Sequence, residues 1–168
     1  MEDELELFYQ KAIDLNLCKE YTNIWRSLKT KREFVDFSLR AASIVYMAKA
    51  RYNGIGLSNK YILENFSPFI NGNYVSKPDE NLNYTCEYYV EYNGEIETDS
   101  NALVLIDCDA TIKLRDYQVL TVFTYGKSKL NFTSANNTIV DVKYWGDDCA
   151  FNGVEENNIK LKKRSNEL

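Results

Sequence analysis

Two acidic pairs are the residues of this chain best placed to do chemistry: Asp107-Cys108-Asp109, and Asp147-Asp148 directly after Gly146. On a continuing strand Asp107 and Asp109 would project from one face, because alternate residues share a side. Two carboxylates so placed could hold a cation or divide the roles of general acid and general base. The competing reading is a polar turn between Ile106 and Ala110, since Asp bonds its own backbone and favours turns. Asp147 and Asp148 pose the same choice.

Other catalytic sets are hard to assemble. The chain has no histidine, which removes the usual general base and the Ser-His and Cys-His nucleophile pairs. Cys18, Cys86, Cys108 and Cys149 lie far apart with no Cys-x-x-Cys, a pattern that fits free buried thiols in a reducing compartment better than a zinc site. Gly54-Ile55-Gly56 is followed by neither a third glycine nor the Lys-Ser/Thr of a phosphate loop. Lys29, Lys31 and Arg32 read as surface charge at a helix start. The expectation is a chain with no catalytic residues, no metal and no cofactor.

Net charge narrows the partners. At −5 the chain lacks the excess of Lys and Arg on which affinity for nucleic acid mainly rests. Lys160-Leu161-Lys162-Lys163-Arg164 is locally basic. It reads as a solvated terminal strand protected by lysines, with a phosphate or acidic-partner contact as the alternative. No apolar run approaches the ~18 residues of a membrane span. The acidic start Met1-Glu2-Asp3-Glu4 is unlike a secretory signal, so the expected setting is cytoplasmic. Three Asn-x-Thr matches, at Asn83, Asn131 and Asn136, are read as chance in an Asn-rich chain.

Aromatic residues are more suggestive of binding. The chain has 13 tyrosines, and Tyr84, Tyr88, Tyr89, Tyr92, Tyr117, Tyr125, Tyr144 and Trp145 fall in its second half. Outward Tyr and Trp are common anchors of protein interfaces. Tyr125, Tyr144 and Trp145 are therefore the candidate partner-binding residues, with Tyr88 or Tyr89 in support. Tyr88 and Tyr89 are neighbours, so on a strand both are not expected to face one core. The alternative is a tyrosine-rich sheet face covered by the chain's own helices.

These residues need a scaffold, and the clearest pattern supplies one. Val119-Leu120-Thr121-Val122-Phe123-Thr124-Tyr125-Gly126 is echoed by Ile139-Val140-Asp141-Val142-Lys143-Tyr144-Trp145-Gly146, about twenty residues on, a spacing typical of stacked units. Leu103/Leu105 with Ile112/Leu114 form a looser first copy, and Ile159/Leu161 could close the stack. Two architectures fit: a small β-solenoid of short stacked strands, or a sandwich of hairpins. The equal aromatic-Gly steps favour the solenoid. Upstream, Tyr84, Cys86, Tyr88 and Val90 alternate as in a half-buried strand, and Asn93-Gly94 predicts a hairpin turn.

The first part of the chain is helical in texture. Leu5, Phe8, Tyr9, Ala12, Ile13 and Leu17 fall at helical spacing over residues 3–17. A short helix over 22–29 would take Thr22 as its cap. Thr30-Lys31-Arg32-Glu33 is a capping-box pattern that opens a longer helix running to Asn53-Gly54, and Ser58 caps another that Pro68 ends. Lys77-Pro78-Asp79-Glu80-Asn81 is linker-like. The expected fold is thus α+β: a helical lobe of about four helices (1–75) packed on a C-terminal β-solenoid-like or β-sandwich repeat (76–168).

The stretch from Gly56-Leu57-Ser58-Asn59-Lys60-Tyr61 to Asn71-Gly72-Asn73-Tyr74-Val75, with the later Tyr125-Gly126 and Trp145-Gly146 steps, resembles small proteins encoded by phages and mobile elements of gut bacteria. These join a helical front to a β-repeat tail. The resemblance implies phage work in virion structure or assembly, in the host cytoplasm or in the virion, and brings no catalytic residue with it. The function expected is non-catalytic binding of a protein partner or self-assembly. One alternative is an anti-defence inhibitor that blocks a host nuclease through an acidic patch at Asp107, Asp109, Asp147 and Asp148. Another is a carboxylate-dependent hydrolase.

Overall fold

A computed structural model describes residues 3–14, 19–38, 51, 54, 57–69 and 86–164. The second half is a small parallel β-solenoid of four turns closed by one further strand. One sheet carries β1 (Cys86–Val90), β3 (Ala102–Ile106), β5 (Val119–Tyr125), β7 (Ile139–Trp145) and β9 (Lys160–Lys163) in that order. The other carries β2 (Asn93–Glu97), β4 (Asp109–Lys113), β6 (Lys129–Phe132) and β8 (Ala150–Asn152). Every pairing is parallel, which sets aside the sandwich of hairpins.

Register explains the repeat. Val90, Ile106, Tyr125 and Trp145 stand in one row across the first sheet. The residue after each of them turns the corner toward the second sheet with positive φ: Glu91 (53°), Asp107 (52°), Gly126 (83°) and Gly146 (93°). Gly126 and Gly146 are thus equivalent corners, one above the other. Glycine takes this left-handed conformation without steric cost, whereas in the first two turns a carboxylate residue bears it. Asn93-Gly94 is not a hairpin turn. Both residues open β2, and the corner falls two residues earlier at Glu91.

The first sheet is buried on both faces, as parallel sheets generally are. Leu103, Leu105, Leu120, Val122, Val140 and Val142 face the second sheet and pack on Ala110, Ile112, Leu130 and Phe132. The alternate residues Tyr88, Val90, Val104, Ile106, Phe123, Tyr125 and Trp145 face outward and pack beneath the helices, against Val35, Leu57, Tyr61, Ile62 and Phe66. The helical lobe therefore covers a sheet face. The second sheet shows alternation on one face only, and its outer side carries cross-turn pairs: Lys113 to Glu95 at 2.6 Å, Arg115 to Glu97 at 2.9 Å, and Asn152 to Asn131 at 2.7 Å.

The helical lobe is N-terminal, with α1 (Asp3–Asp14), α2 (Lys19–Ser27), α3 (Lys31–Ser38) and α4 (Asn59–Phe66). Thr30 and Glu33 form the reciprocal capping box at the start of α3, with the Glu33 amide donating to Thr30 Oγ1 and the Thr30 amide to Glu33 Oε2. Ser58 Oγ caps α4 by accepting from the Tyr61 amide, and a 3₁₀ turn at Ser67–Phe69 follows, where Pro68 has no amide to continue the α-helical bonding. Thr22 is no cap: α2 starts at Lys19, and the Thr22 hydroxyl donates to the Lys19 carbonyl inside the helix. The expected continuation of α3 beyond Ser38, apart from Arg51, and the linker-like 77–81 lie outside the described residues.

Candidate functional site

The corner column and the helical lobe meet at Asp107. Its Oδ2 accepts from Arg51 Nη2 at 2.8 Å and from Asn59 Nδ2 at 2.7 Å, and its Oδ1 accepts from the Lys127 amide at 2.9 Å. Arg51 also donates to the Leu57 carbonyl at 3.0 Å, so a single carboxylate ties two helical segments to two turns of the solenoid. Burial works to raise the Asp107 pKa. The Lys127 amide, Asn59 and Arg51 outweigh it and hold the carboxyl below its ordinary value. Asp107 is therefore a charged staple at neutral pH and holds no proton to donate.

Around this staple opens a cleft of about 420 Å³ lined by Arg51, Asp107, Tyr125, Gly126, Lys127, Trp145, Gly146, Asp147 and Asp148. Asp147 and Asp148 are exposed at its rim, and Asp147 is ion-paired with Lys163. Asp107 and Asp109 do not share a strand face, since Asp107 is the left-handed corner and Asp109 the first residue of β4. Asp109 does not line the cleft. The expected acidic patch is thus divided: three of its carboxylates share a cleft with two cations, and two of those three are already paired.

The thiols nearby are not activated nucleophiles. Burial pushes the Cys108 and Cys149 thiols up to about 11 and that of Cys86 up to about 12, so all three stay protonated at neutral pH. Among the described residues no group of three or more His, Cys, Asp or Glu converges as metal ligands. No described helix is long and apolar enough to cross a membrane.

The aromatic anchors expected on the surface need correction. Trp145 is 1 % exposed, and Tyr125, Tyr88 and Tyr89 are buried as well. Tyr88 and Tyr125 lie under the helices with their hydroxyls 3.2 Å apart. Tyr89 points the other way into the inter-sheet core, with its hydroxyl on Glu87 Oε2 at 2.7 Å. Two neighbouring tyrosines are both buried because the sheet has a core on each side. Tyr144 is half-buried between the sheets, edge-on to Phe151 with ring centres 5.0 Å apart. What these residues do is hold the two layers together.

Exposed apolar side chains lie elsewhere on the solenoid. Val119 and Ile139 are in register and 58 % and 62 % exposed, and Tyr117, two residues before Val119, is 75 % exposed. Val119 and Ile139 share the outer face of the first sheet with Phe123 and Trp145, but sit at the strand starts, which the helices leave uncovered. Tyr117 holds φ at 63°, a conformation costly for a bulky residue. The sequence signal was available: Val119 and Ile139 open the two echoing runs at the same place. No protein-family model, curated protein or solved structure matches the chain.

Proposed function

We propose that the chain is a protein-binding module that acts without catalysis, and that Tyr117, Val119 and Ile139 are the heart of its binding surface. The observation carrying this reading is Tyr117, a large aromatic 75 % exposed in a strained left-handed backbone. At that exposure the side chain gains little packing energy to offset its backbone cost, which points to a role outside the fold. At the turn above, Asn137 adopts a similar conformation with φ 54°, and Asn tolerates it readily. Val119 and Ile139 extend the apolar area beside it, and Tyr is among the residues that dominate interface energetics.

The partner in this proposal is a virion or assembly protein of a phage or mobile element, as the sequence resemblance implied. A host defence enzyme is the rival. Affinity capture from producing cells, with wild type and the Tyr117→Ser/Val119→Ser/Ile139→Ser variant side by side, tests the reading. One stoichiometric protein should be retained by wild type and lost by the variant, and mass spectrometry of that protein decides between assembly and inhibition. Equal capture by both chains would remove the surface from consideration.

A further inference from the structure

The third corner of the solenoid holds a carboxylate over a glycine. Asp107 Oδ1 lies where a side chain of Gly126 would stand, and it accepts from the amide of the next residue, Lys127, at 2.9 Å. The corner residue of one turn thus reaches to the corner of the next, and Gly126 makes room for it. One turn on, Gly146 repeats the backbone of Gly126, with φ of 93° against 83°. Its neighbour in the turn before is Gly126, which has no side chain to reach across. Among the described residues nothing lies within 4 Å of the place a Gly146 side chain would take. Nothing among them accepts from the amide of Asp147, the residue that follows.

This open corner forms part of the wall of the cleft of about 420 Å³, to which Gly126, Gly146 and Asp147 all contribute. Trp145 lines the cleft too, and its indole N–H is buried with no acceptor among the described residues. Buried donors are nearly always paired, so an unpaired one in a cleft wall points to an acceptor from outside the chain. Charge narrows that acceptor. Arg51 is committed to Asp107 and Asp147 to Lys163, which leaves exposed Lys127 and exposed Asp148 among the charged lining residues. One cation against one rim carboxylate admits a monoanion but offers no surplus to a polyanion such as phosphate.

We propose that the cleft binds a small molecule bearing a carboxylate group. That carboxylate lies over Gly146 as the Asp107 carboxylate lies over Gly126, accepts from the Asp147 amide and has Lys127 as its counter-charge. Hydrogen bonds to an ionised acceptor are roughly twice as strong as neutral ones, so few donors suffice. The volume is in the usual range of small-molecule pockets, about 300–1,000 Å³. The cleft is at the strand ends and Tyr117, Val119 and Ile139 are at the strand starts, so this site stands apart from the protein-binding surface proposed above.

The isotope-labelled full chain, titrated by NMR with sodium acetate and separately with sodium chloride at equal ionic strength, tests this. Acetate should move the Asp147 amide and Trp145 indole signals along saturable curves, with a dissociation constant on the order of 1 mM for so small a probe. Sodium chloride should not. The chain has 2 tryptophans, so Trp25→Phe identifies the Trp145 indole. Gly146→Ala puts a methyl group where the carboxylate would lie and should abolish acetate binding. Lys127→Gln changes an exposed side chain, keeps wild-type circular dichroism and should weaken acetate about threefold. Inorganic phosphate should bind more weakly than acetate. Signals that fail to saturate, acetate binding indifferent to Lys127→Gln, or phosphate bound as tightly as acetate would each overturn the proposal.

Discussion

Gly126 lies directly against Asp107, so that a methyl group added at Gly126 would overlap the carboxylate Oδ1. Gly146 occupies the equivalent corner one turn on, also at positive φ, with nothing near its missing side chain. The two glycines therefore separate backbone strain from steric conflict. Gly146→Ala should cost about 1–2 kcal/mol, the ordinary penalty of a left-handed residue with a Cβ. Gly126→Ala should cost that and, by displacing Asp107 from its donors, about 1–3 kcal/mol more. Urea unfolding midpoints of the two variants measure the difference, and equal losses would mean that the Asp107 contact adds nothing.

Asp107 should also leave a mark on the acid limb of stability. Its pKa is lower in the folded chain than the ordinary value, so its contribution is fully present above the unfolded value of about 3.9 and is lost as pH falls through the folded one. Asp107→Asn keeps a residue that tolerates the 52° φ but removes the charge. Near neutral pH the variant should be about 1–3 kcal/mol less stable, as expected for a partly buried charged hydrogen-bond partner. Below about pH 4 the gap should begin to narrow, and it should close only as pH falls through the lower value of the folded chain. Unfolding curves across the acid range decide it: parallel pH profiles for the two chains would mean that Asp107 is not held as a charged staple.

How much of this was legible in the sequence follows from which residues pay for the corners. The third and fourth corners use glycine, so Gly126 and Gly146 announced the stack. The first two use Glu91 and Asp107, whose side chains give no such signal, so Asn93-Gly94 reads as a hairpin turn where the chain makes a full solenoid turn through β1 and β2. The burial of the aromatics escapes the sequence for a different reason. Alternation places Tyr88 and Tyr89 on opposite faces correctly, but it does not say that a helical lobe will close over one of those faces. The partner of the cleft was hidden as well: Arg51 lies 56 residues from Asp107 in the chain, and nothing local ties them.

Tyr117 gives a prediction in which stability and binding move in opposite directions. Tyr117→Asn places at φ 63° a residue that adopts this conformation more readily, and since the tyrosine is exposed it removes little packing. The variant should be more stable by roughly 0.5–1 kcal/mol and should bind its partner at least tenfold more weakly, as loss of an interface tyrosine commonly does. Thermal unfolding and affinity capture of the same preparation check both halves. A variant that is destabilised would mean Tyr117 serves the fold, and the binding proposal would lose its main support.

Removing one hydroxyl from each of two adjacent tyrosines tests the two-sided burial of the first sheet. The Tyr88 hydroxyl is buried 3.2 Å from that of Tyr125, and burial raises the pKa of both, that of Tyr125 to about 12. Tyr88→Phe strips Tyr125 of a buried partner, and an abandoned buried hydroxyl costs about 1–3 kcal/mol. The Tyr89 hydroxyl instead donates to the carboxylate of half-buried Glu87. Water can take its place there, so Tyr89→Phe should cost less than about 1 kcal/mol. If the outer face of the sheet were open to solvent, as one-sided alternation would have it, Tyr88→Phe would be the near-neutral change. Chemical denaturation of the two variants therefore reports directly on whether the helical lobe is seated over Tyr88 in solution.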